Sequence, residues 1–113
     1  MKFQLARANG FKRSFKKIKL TDDEETNYIE VVYNLLNSEP LEAKYKDHQL
    51  KGNMREFREC HIKPNLLLVY RVENGVLELV DIGSHSELFK IIYFDLKKVI
   101  LVTHSNLSSQ KTA

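Results

Sequence analysis

Residues 66–82, LLLVYRVENGVLELVDI, decide the fold. Residues 66–72 are almost continuously apolar, which predicts a central strand covered on both faces. Asn74 and Gly75 follow, and this dipeptide favours a two-residue turn of type I′ between antiparallel strands. Residues 76–82 then predict the return strand. The chain is therefore expected to contain a β-hairpin whose two faces must be covered by the remaining elements.

Two helices are predicted ahead of this hairpin. Residues 11 to about 20 have an amphipathic pattern with a basic outer face. Its apolar positions are Phe11, Phe15 and Ile18. Thr21 and Glu24 have the spacing of a capping box, which predicts the start of the second helix. The predicted buried stripe of that helix is Tyr28, Ile29, Val32, Leu35 and Leu36.

The order of elements indicates an α+β fold. Residues 2–6 predict a short edge strand, and residues 54–62 predict a strand in which a bulge is possible. The N-terminal strand and the helical hairpin are expected to pack on a small antiparallel sheet, with the helices on one side. Residues 90–113 form a C-terminal extension. It is apolar to about residue 102, which predicts packing on the domain, and is then polar and expected to be disordered.

Composition limits the class of protein. With 113 residues, 42% apolar and 29% charged, the chain fits one globular domain. The single cysteine, Cys60, has no partner for an internal disulfide, which favours a reducing compartment. No apolar run approaches the roughly 20 residues of a membrane helix. The absence of a signal-peptide core then favours the cytoplasm. Residues 1–20 carry bases and no acids, which favours a polyanion or an acidic partner as much as a solvated helix face.

Three of the four histidines, His48, His61 and His85, fall within residues 48–89. The cations in the same window are Lys51, Arg55, Arg58 and Arg71. Imidazoles can take and give protons, and cations can stabilise the charge that develops on a phosphate. The combination indicates a ribonuclease that works without a metal or other cofactor. A base would activate the 2′-hydroxyl and an acid would protonate the leaving 5′-oxygen, while Phe57 or Phe89 would stack on a base.

Other kinds of site fit these residues less well. A zinc site built from the histidines and Cys60 lacks a close ligand pair of the usual spacing. Adjacent Cys60 and His61 point to opposite faces of a strand, which also argues against a cysteine nucleophile. By the same alternation Arg58 and His61 lie on opposite faces unless a bulge intervenes. Whether Arg58 or Lys51 supplies the positive charge therefore stays open.

The run YKDHQLKGNMREFRECHIKPNLLLVYR (residues 45–71), together with LVDIGSHSELF (residues 79–89), closely resembles the YafQ branch of the RelE/ParE superfamily of bacterial toxins. The resemblance implies a RelE-like domain over residues 1–89. It also implies an endoribonuclease toxin of a type II toxin–antitoxin module, which cuts messenger RNA on the ribosome. The implied partner is a cognate antitoxin of the DinJ kind.

The resemblance also implies which residues form the site. The implied catalytic set is His48, His61, His85 and Asn65. The predicted RNA-binding set is Lys51, Arg55, Arg58 and Phe89. Asn65 stands where the family has an acid, and an amide cannot act as a base. Leu66 replaces an aromatic that often follows that acid. These departures leave a second hypothesis open, a non-cleaving relative that binds RNA or a protein target, like the ParE branch.

Overall fold

The computed structural model describes residues 1–88, which form a five-stranded sheet with both helices packed on one face. The elements are β1 (Gln4–Arg7), α1 (Asn9–Lys17), α2 (Asp22–Leu36), β2 (His48–Gln49), β3 (Arg58–Lys63), β4 (Leu66–Glu73) and β5 (Val76–Gly83), with 3₁₀ turns at Ala43–Tyr45 and Gly52–Met54. The strands lie in the order β1-β5-β4-β3-β2. The predicted α+β fold is confirmed.

The central strand of the sheet is β4, as its apolar run predicts. Alternate residues of its first part enter the main core under the helices. Leu67 and Val69 face the other side, where Leu88 helps to cover them in a second, smaller cluster. The turn into β5 has positive φ angles at Asn74 (53°) and Gly75 (77°), as a type I′ turn requires.

β1 extends the sheet at one edge. It pairs with β5 in parallel, with Leu5 opposite Leu77. Strands β2 to β5 form the predicted antiparallel sheet. A parallel pair requires a long crossover, and here the helices and three of the strands lie between the two partners. The edge position predicted for the N-terminal strand is confirmed.

α1 begins at Asn9 and ends at Lys17, two or three residues earlier at each end than its apolar pattern predicts. It ends there because Ile18 has extended backbone angles (φ −94°, ψ 136°). Its outer face is basic, as predicted. The exposed cations on that face are Lys12, Arg13, Lys16 and Lys17.

The capping box that starts α2 is present. Glu24 N donates to Thr21 Oγ1 at 3.1 Å, and Thr21 N donates to Glu24 Oε1 at 2.9 Å. The fully buried residues of the helix are Val31, Leu35 and Leu36. Ile29, predicted to be buried, is 58% exposed. Tyr28 and Val31 lie on the side of the helix that faces the core. Ile29 lies about 100° further around the helix than Tyr28, which turns its side chain away from the core.

β3 starts at Arg58, later than its pattern predicts, because residues 52–54 form a 3₁₀ turn instead of extended chain. Its register with β4 shifts between His61 and Lys63, so the strand carries a bulge. The bulge lies near the end of β3, directly after His61.

The expectations for Phe89 and for the extension over residues 90–113 lie outside the described residues. Within residues 1–88, no helix has both the length and the apolar character needed to cross a membrane.

Candidate active site

Strand register brings His48 and His61 to the same face of the sheet. His48 pairs with Glu59 across β2 and β3, and directly paired residues of antiparallel strands project to one side. Glu59 and His61 share that side by alternation along β3. Because Glu59 pairs with Val69 of the second cluster, this is the face opposite the helices. The two imidazole ring centroids are 6.4 Å apart.

His48 is held by both ring nitrogens. Nδ1 lies 2.8 Å from the Lys46 carbonyl oxygen, and since a carbonyl can only accept, Nδ1 carries the proton. Nε2 lies 3.4 Å from Glu59 Oε1. Both nitrogens thus face acceptors, an arrangement in which an imidazolium donates both of its protons. The ring is about half exposed, so it remains open to a ligand.

A polar network fixes the segment that carries His48. Asp47 accepts hydrogen bonds from Tyr70 Oη at 2.5 Å and from Arg58 Nε and Nη2 at 3.3 and 3.2 Å. Burial, followed by the bond to Asp47, raises the pKa of the Tyr70 hydroxyl, which therefore stays a donor. Lys46 adopts the left-handed conformation (φ 49°), and its carbonyl is the acceptor for His48. The Asp47 network, Asp47 with Arg58 and Tyr70, is therefore well placed to hold the ring.

His85 lies at the same end of the sheet as His61. His61 pairs with Leu67 on β4, and Leu67 pairs with Gly83 on β5, two residues before His85. The backbone N–H of His85 donates to Asn65 Oδ1 at 3.4 Å, which ties the β3–β4 turn to the helical turn at residues 85–88. The side chain of His85 is exposed. The described hydrogen bond of Asn65 therefore supports the backbone of His85, not its ring.

The turn that carries His85 has its own capping box. Ser84 N donates to Glu87 Oε1 at 2.9 Å, and Glu87 N donates to Ser84 Oγ at 3.3 Å. The bond from the Ser84 N–H is the main reason that the pKa of Glu87 is lowered. The sequence S-H-S-E therefore places His85 in the first position of a capped turn.

Of the four cations that are near the histidines in sequence, two form ion pairs with carboxylates in the structure. Arg71 contacts Glu78 at 2.7 Å and Glu56 at 2.8 Å, and Arg58 is bound to Asp47. Within residues 1–88, neither Lys51 nor Arg55 forms an ion pair, and both side chains are exposed. Lys51 and Arg55 are therefore the cations available to a phosphate.

Arg58 lies on the helix side of the sheet, since it pairs with Tyr70, whereas His61 lies on the other. Burial lowers the pKa of its guanidinium, but the hydrogen bonds to Asp47 and Tyr70 outweigh that effect and raise it. Its assignment to RNA binding stays a prediction, and the geometry does not favour it. A supporting role behind His48 fits its contacts better.

Phe57 is half-buried against the second cluster, and the Arg71 guanidinium lies 5.4 Å from its ring centroid. One face of the ring is therefore covered by a cation. The other predicted stacking residue, Phe89, lies outside the described residues. Base stacking by either ring stays a prediction.

Cys60 is fully buried on the helix side, opposite Leu68. Burial raises the pKa of its thiol to about 12, so a thiolate nucleophile is excluded at neutral pH. Within residues 1–88, no group of three His, Cys, Asp or Glu side chains is arranged to hold a metal ion.

Sequence reasoning missed two elements of this site. The first is Asp47, whose network with Arg58 and Tyr70 depends on tertiary contact and has no local signal. The second is Glu59 as the partner of His48. Alternation along β3 places Glu59 beside His61, but only the register of the two-residue strand β2 brings His48 opposite to it.

The fold is that of small bacterial toxins of known structure. A copper-bound mutant toxin from Helicobacter pylori is 42% identical and superposes with a TM-score of 0.71, over 76% of this chain and 98% of that one. The Escherichia coli DinJ–YafQ complex contains a chain that is 26% identical, with a TM-score of 0.67, over 77% of this chain and 98% of that one.

The chain belongs to the YafQ family, described as bacterial toxins of type II toxin–antitoxin systems, whose family model matches residues 3–90. A relative from Escherichia coli K12, the mRNA interferase toxin YafQ, is 33% identical over 78 residues, which cover 66% of this chain and 85% of that protein. The resemblance recognised from the histidine-containing motifs is thereby confirmed.

Proposed function

We propose that this chain is a ribosome-dependent endoribonuclease toxin that cuts messenger RNA without a metal and is held inactive by a DinJ-like antitoxin. The observation that carries the proposal is the pair of imidazoles 6.4 Å apart, His48 and His61, on an open face. His85 at the same sheet end, and Lys51 and Arg55, complete the set. The name of the E. coli relative and the DinJ–YafQ complex support the substrate and the partner.

The reaction proceeds by attack of the 2′-oxygen on phosphorus and breakage of the bond to the 5′-oxygen. A base takes the 2′-hydroxyl proton, and an acid gives a proton to the 5′-oxygen as it leaves. The products carry a 2′,3′-cyclic phosphate and a 5′-hydroxyl. Neither bond change requires an oxidant or a co-reactant.

The contacts of the three rings suggest how these roles are divided. The rings of His61 and His85 have no hydrogen-bond partner within residues 1–88, so both are free to exchange protons. Each ring nitrogen of His48 already faces an acceptor, which fixes the position of the ring and leaves it less free to exchange a proton with the substrate. We therefore assign proton transfer to His61 and His85, and stabilisation of the phosphorane-like transition state to His48.

This division predicts the pH dependence of kcat for cleavage of ribosome-bound messenger RNA. The parent enzyme should give a bell-shaped profile, and His61→Ala or His85→Ala should each remove one limb. His48→Ala should lower kcat about 100-fold while leaving both limbs in place. Loss of a limb in His48→Ala would reassign it to proton transfer.

Cleavage itself is tested by brief induction of the chain followed by primer-extension mapping of transcripts. We expect growth arrest and new 5′ ends within coding regions, and His85→Ala should relieve both. Addition of purified ribosomes to an in vitro reaction should be required for cutting. A His85→Ala variant as toxic as the parent would contradict the proposed catalytic set.

The proposed antitoxin contact includes the exposed basic face of α1. Four exposed cations lie on this face with no acid on the helix, which suits an acidic segment of a partner. Association with the antitoxin should therefore slow as salt concentration rises.

A second candidate function, RNA or protein binding without cleavage, is favoured by one observation. Within residues 1–88, the Asn65 side chain accepts one hydrogen bond, from the backbone N–H of His85, at the long distance of 3.4 Å. A carboxylate at this position would make that bond stronger and add a negative charge beside His85. If Asn65→Asp raises the cleavage rate more than about tenfold, the natural chain is a weakened enzyme or a binder.

We also propose that residues 1–89 form the toxin domain and that the protein acts in the cytoplasm. The family match that ends at residue 90 supports the first proposal. The proposed substrate, messenger RNA on the ribosome, and the unpaired, buried Cys60 support the cytoplasmic location.

A further inference from the structure

A cleft of about 470 Å³ opens beside His61. It lies between the first turns of α2, the 3₁₀ turn at Ala43–Tyr45 and the end of β3. Its volume is within the range of small-molecule binding sites, which is roughly 300–1,000 Å³. The cleft lies on the helix side of the sheet edge, whereas the imidazoles of His48 and His61 lie on the opposite face. His61 borders the cleft, as does Lys46, whose carbonyl is 2.8 Å from His48 Nδ1, so the cleft adjoins the candidate active site across this edge.

The rim of the cleft is positively charged. Lys44, Lys46 and Lys63 all border it, against one carboxylate, Asp23. The only ion pair described for these lysines joins Lys44 Nζ to Glu42 at 4.0 Å, and both side chains are more than half exposed. Such a pair contributes little, so the lysines remain available to an anion.

The wall of the cleft offers hydrogen-bond acceptors. Asn27 Nδ2 donates to the Ile62 carbonyl at 2.9 Å, which fixes the amide, and Oδ1 has no hydrogen-bond donor among the residues that the structure describes. Asp23 adds a carboxylate. Tyr45, whose hydroxyl donates to Glu30 at 2.8 Å, is anchored within the wall. Acceptors inside and cations at the rim match a nucleotide, whose base carries N–H donors and whose phosphate is an anion.

We propose that this cleft is a binding subsite for one nucleotide adjacent to the scissile phosphate. Lys46 and Lys63 hold its phosphate, and Asn27 and Asp23 accept hydrogen bonds from its base. The exocyclic amino group of adenine, cytosine or guanine offers two N–H donors to these two acceptors, whereas uracil offers only its N3–H, so the site favours those three bases over uracil. This inference rests on the proposed function, since it assigns the cleft to the same RNA.

The first test measures binding without cleavage. The full chain, labelled with ¹⁵N, is titrated with adenosine 5′-monophosphate, uridine 5′-monophosphate and inorganic phosphate. We expect shifts at the Asn27 side-chain amide and at the backbone of Lys63, larger for the adenosine nucleotide than for the other two. Lys63→Gln should weaken binding roughly threefold to tenfold. Lys2→Gln, a matched change beside β1 at the opposite sheet edge, should have no effect. Shifts confined to the surface around Lys51, or absent altogether, overturn the proposal.

The second test separates this subsite from the nuclease activity itself. Cleavage sites are mapped on one transcript for the parent, Lys63→Gln and Lys2→Gln. If the parent cuts and Lys63→Gln shows a changed base preference beside the cut, the subsite is supported. If the parent cuts and the preference is unchanged, the subsite is wrong while the nuclease stands. If the parent binds adenosine 5′-monophosphate in the cleft but cuts nothing, the nuclease assignment fails and the nucleotide site remains.

Discussion

Replacing Tyr70 with phenylalanine tests whether the Asp47 network positions His48. The change removes one hydroxyl and leaves the ring, which is 2% exposed, in the core. That hydroxyl donates to Asp47 at 2.5 Å and accepts from Arg58 Nε at 3.3 Å. Hydrogen bonds to charged groups contribute about 1.5–3 kcal/mol. Since Arg58 still pairs with Asp47, we expect the free energy of unfolding to fall by about 2 kcal/mol, measured by urea denaturation.

The activity of the folded Tyr70→Phe variant then shows whether the network positions His48. Because a small displacement of a catalytic group is costly, we expect kcat for RNA cleavage to fall about 10- to 100-fold with little change in KM. Imidazole ¹⁵N spectra should show His48 leaving its Nδ1-protonated form. Tyr28→Phe is the matched control, since it removes the same atom from a half-buried ring whose hydroxyl has no partner among residues 1–88. An unchanged kcat and an unchanged His48 spectrum would show that the network stabilises the fold without positioning the ring.

Three further predictions concern the structure around the site. The pKa of Glu87 is lowered in the folded chain, so its contribution is present above the unfolded-chain pKa of about 4.3 and is lost as pH falls through the lower folded value. Ser84→Ala should remove about 1 kcal/mol of cap stability, and in Glu87→Gln hydrogen exchange in the turn at residues 85–88 should no longer accelerate on acidification; equal acid sensitivity of the parent and Glu87→Gln would refute the capping box. Cys60 should react with a thiol reagent only on unfolding, and rapid labelling of native protein would contradict its burial. Val31→Ala should cost about 2 kcal/mol and Ile29→Ser less than about 0.5 kcal/mol in thermal unfolding, and equal losses would mean that the α2 face is misassigned.

The hairpin and the start of α2 could be predicted because their signals are local. A type I′ turn needs only Asn74 and Gly75, and a capping box needs only Thr21 and Glu24. The apolar stripe of α2 was harder to predict, because Ile29 is as apolar as its buried neighbours. Only the packing of α2 on the sheet decides that Val31 enters the core instead.

The site was less predictable than the fold, because its geometry depends on pairing between distant segments. Alternation alone places Glu59 and His61 on one face and Arg58 on the other, as the structure shows. The position of His48 depends on β2, whose two residues are too few to give a pattern. The approach of His85 depends on the β4–β5 register, which a bulge between Val69 and Tyr70 shifts.

The positions of the carboxylates explain why nearness in sequence to the histidines does not predict which cations can bind a phosphate. Arg71 lies directly opposite Glu78 on the neighbouring strand, at a spacing of about 5 Å, and Arg58 lies beside Asp47, just before β2, so the sheet places a carboxylate beside each of them. Lys51 and Arg55 lie in the exposed segment around the Gly52–Met54 turn, where no neighbour is fixed in this way. A guanidinium bound to a carboxylate must lose that partner before it can bind a phosphate, whereas an unpaired cation loses only water. Arg71 therefore stabilises the sheet and Arg58 supports the segment that carries His48, and the loop cations remain available to a phosphate.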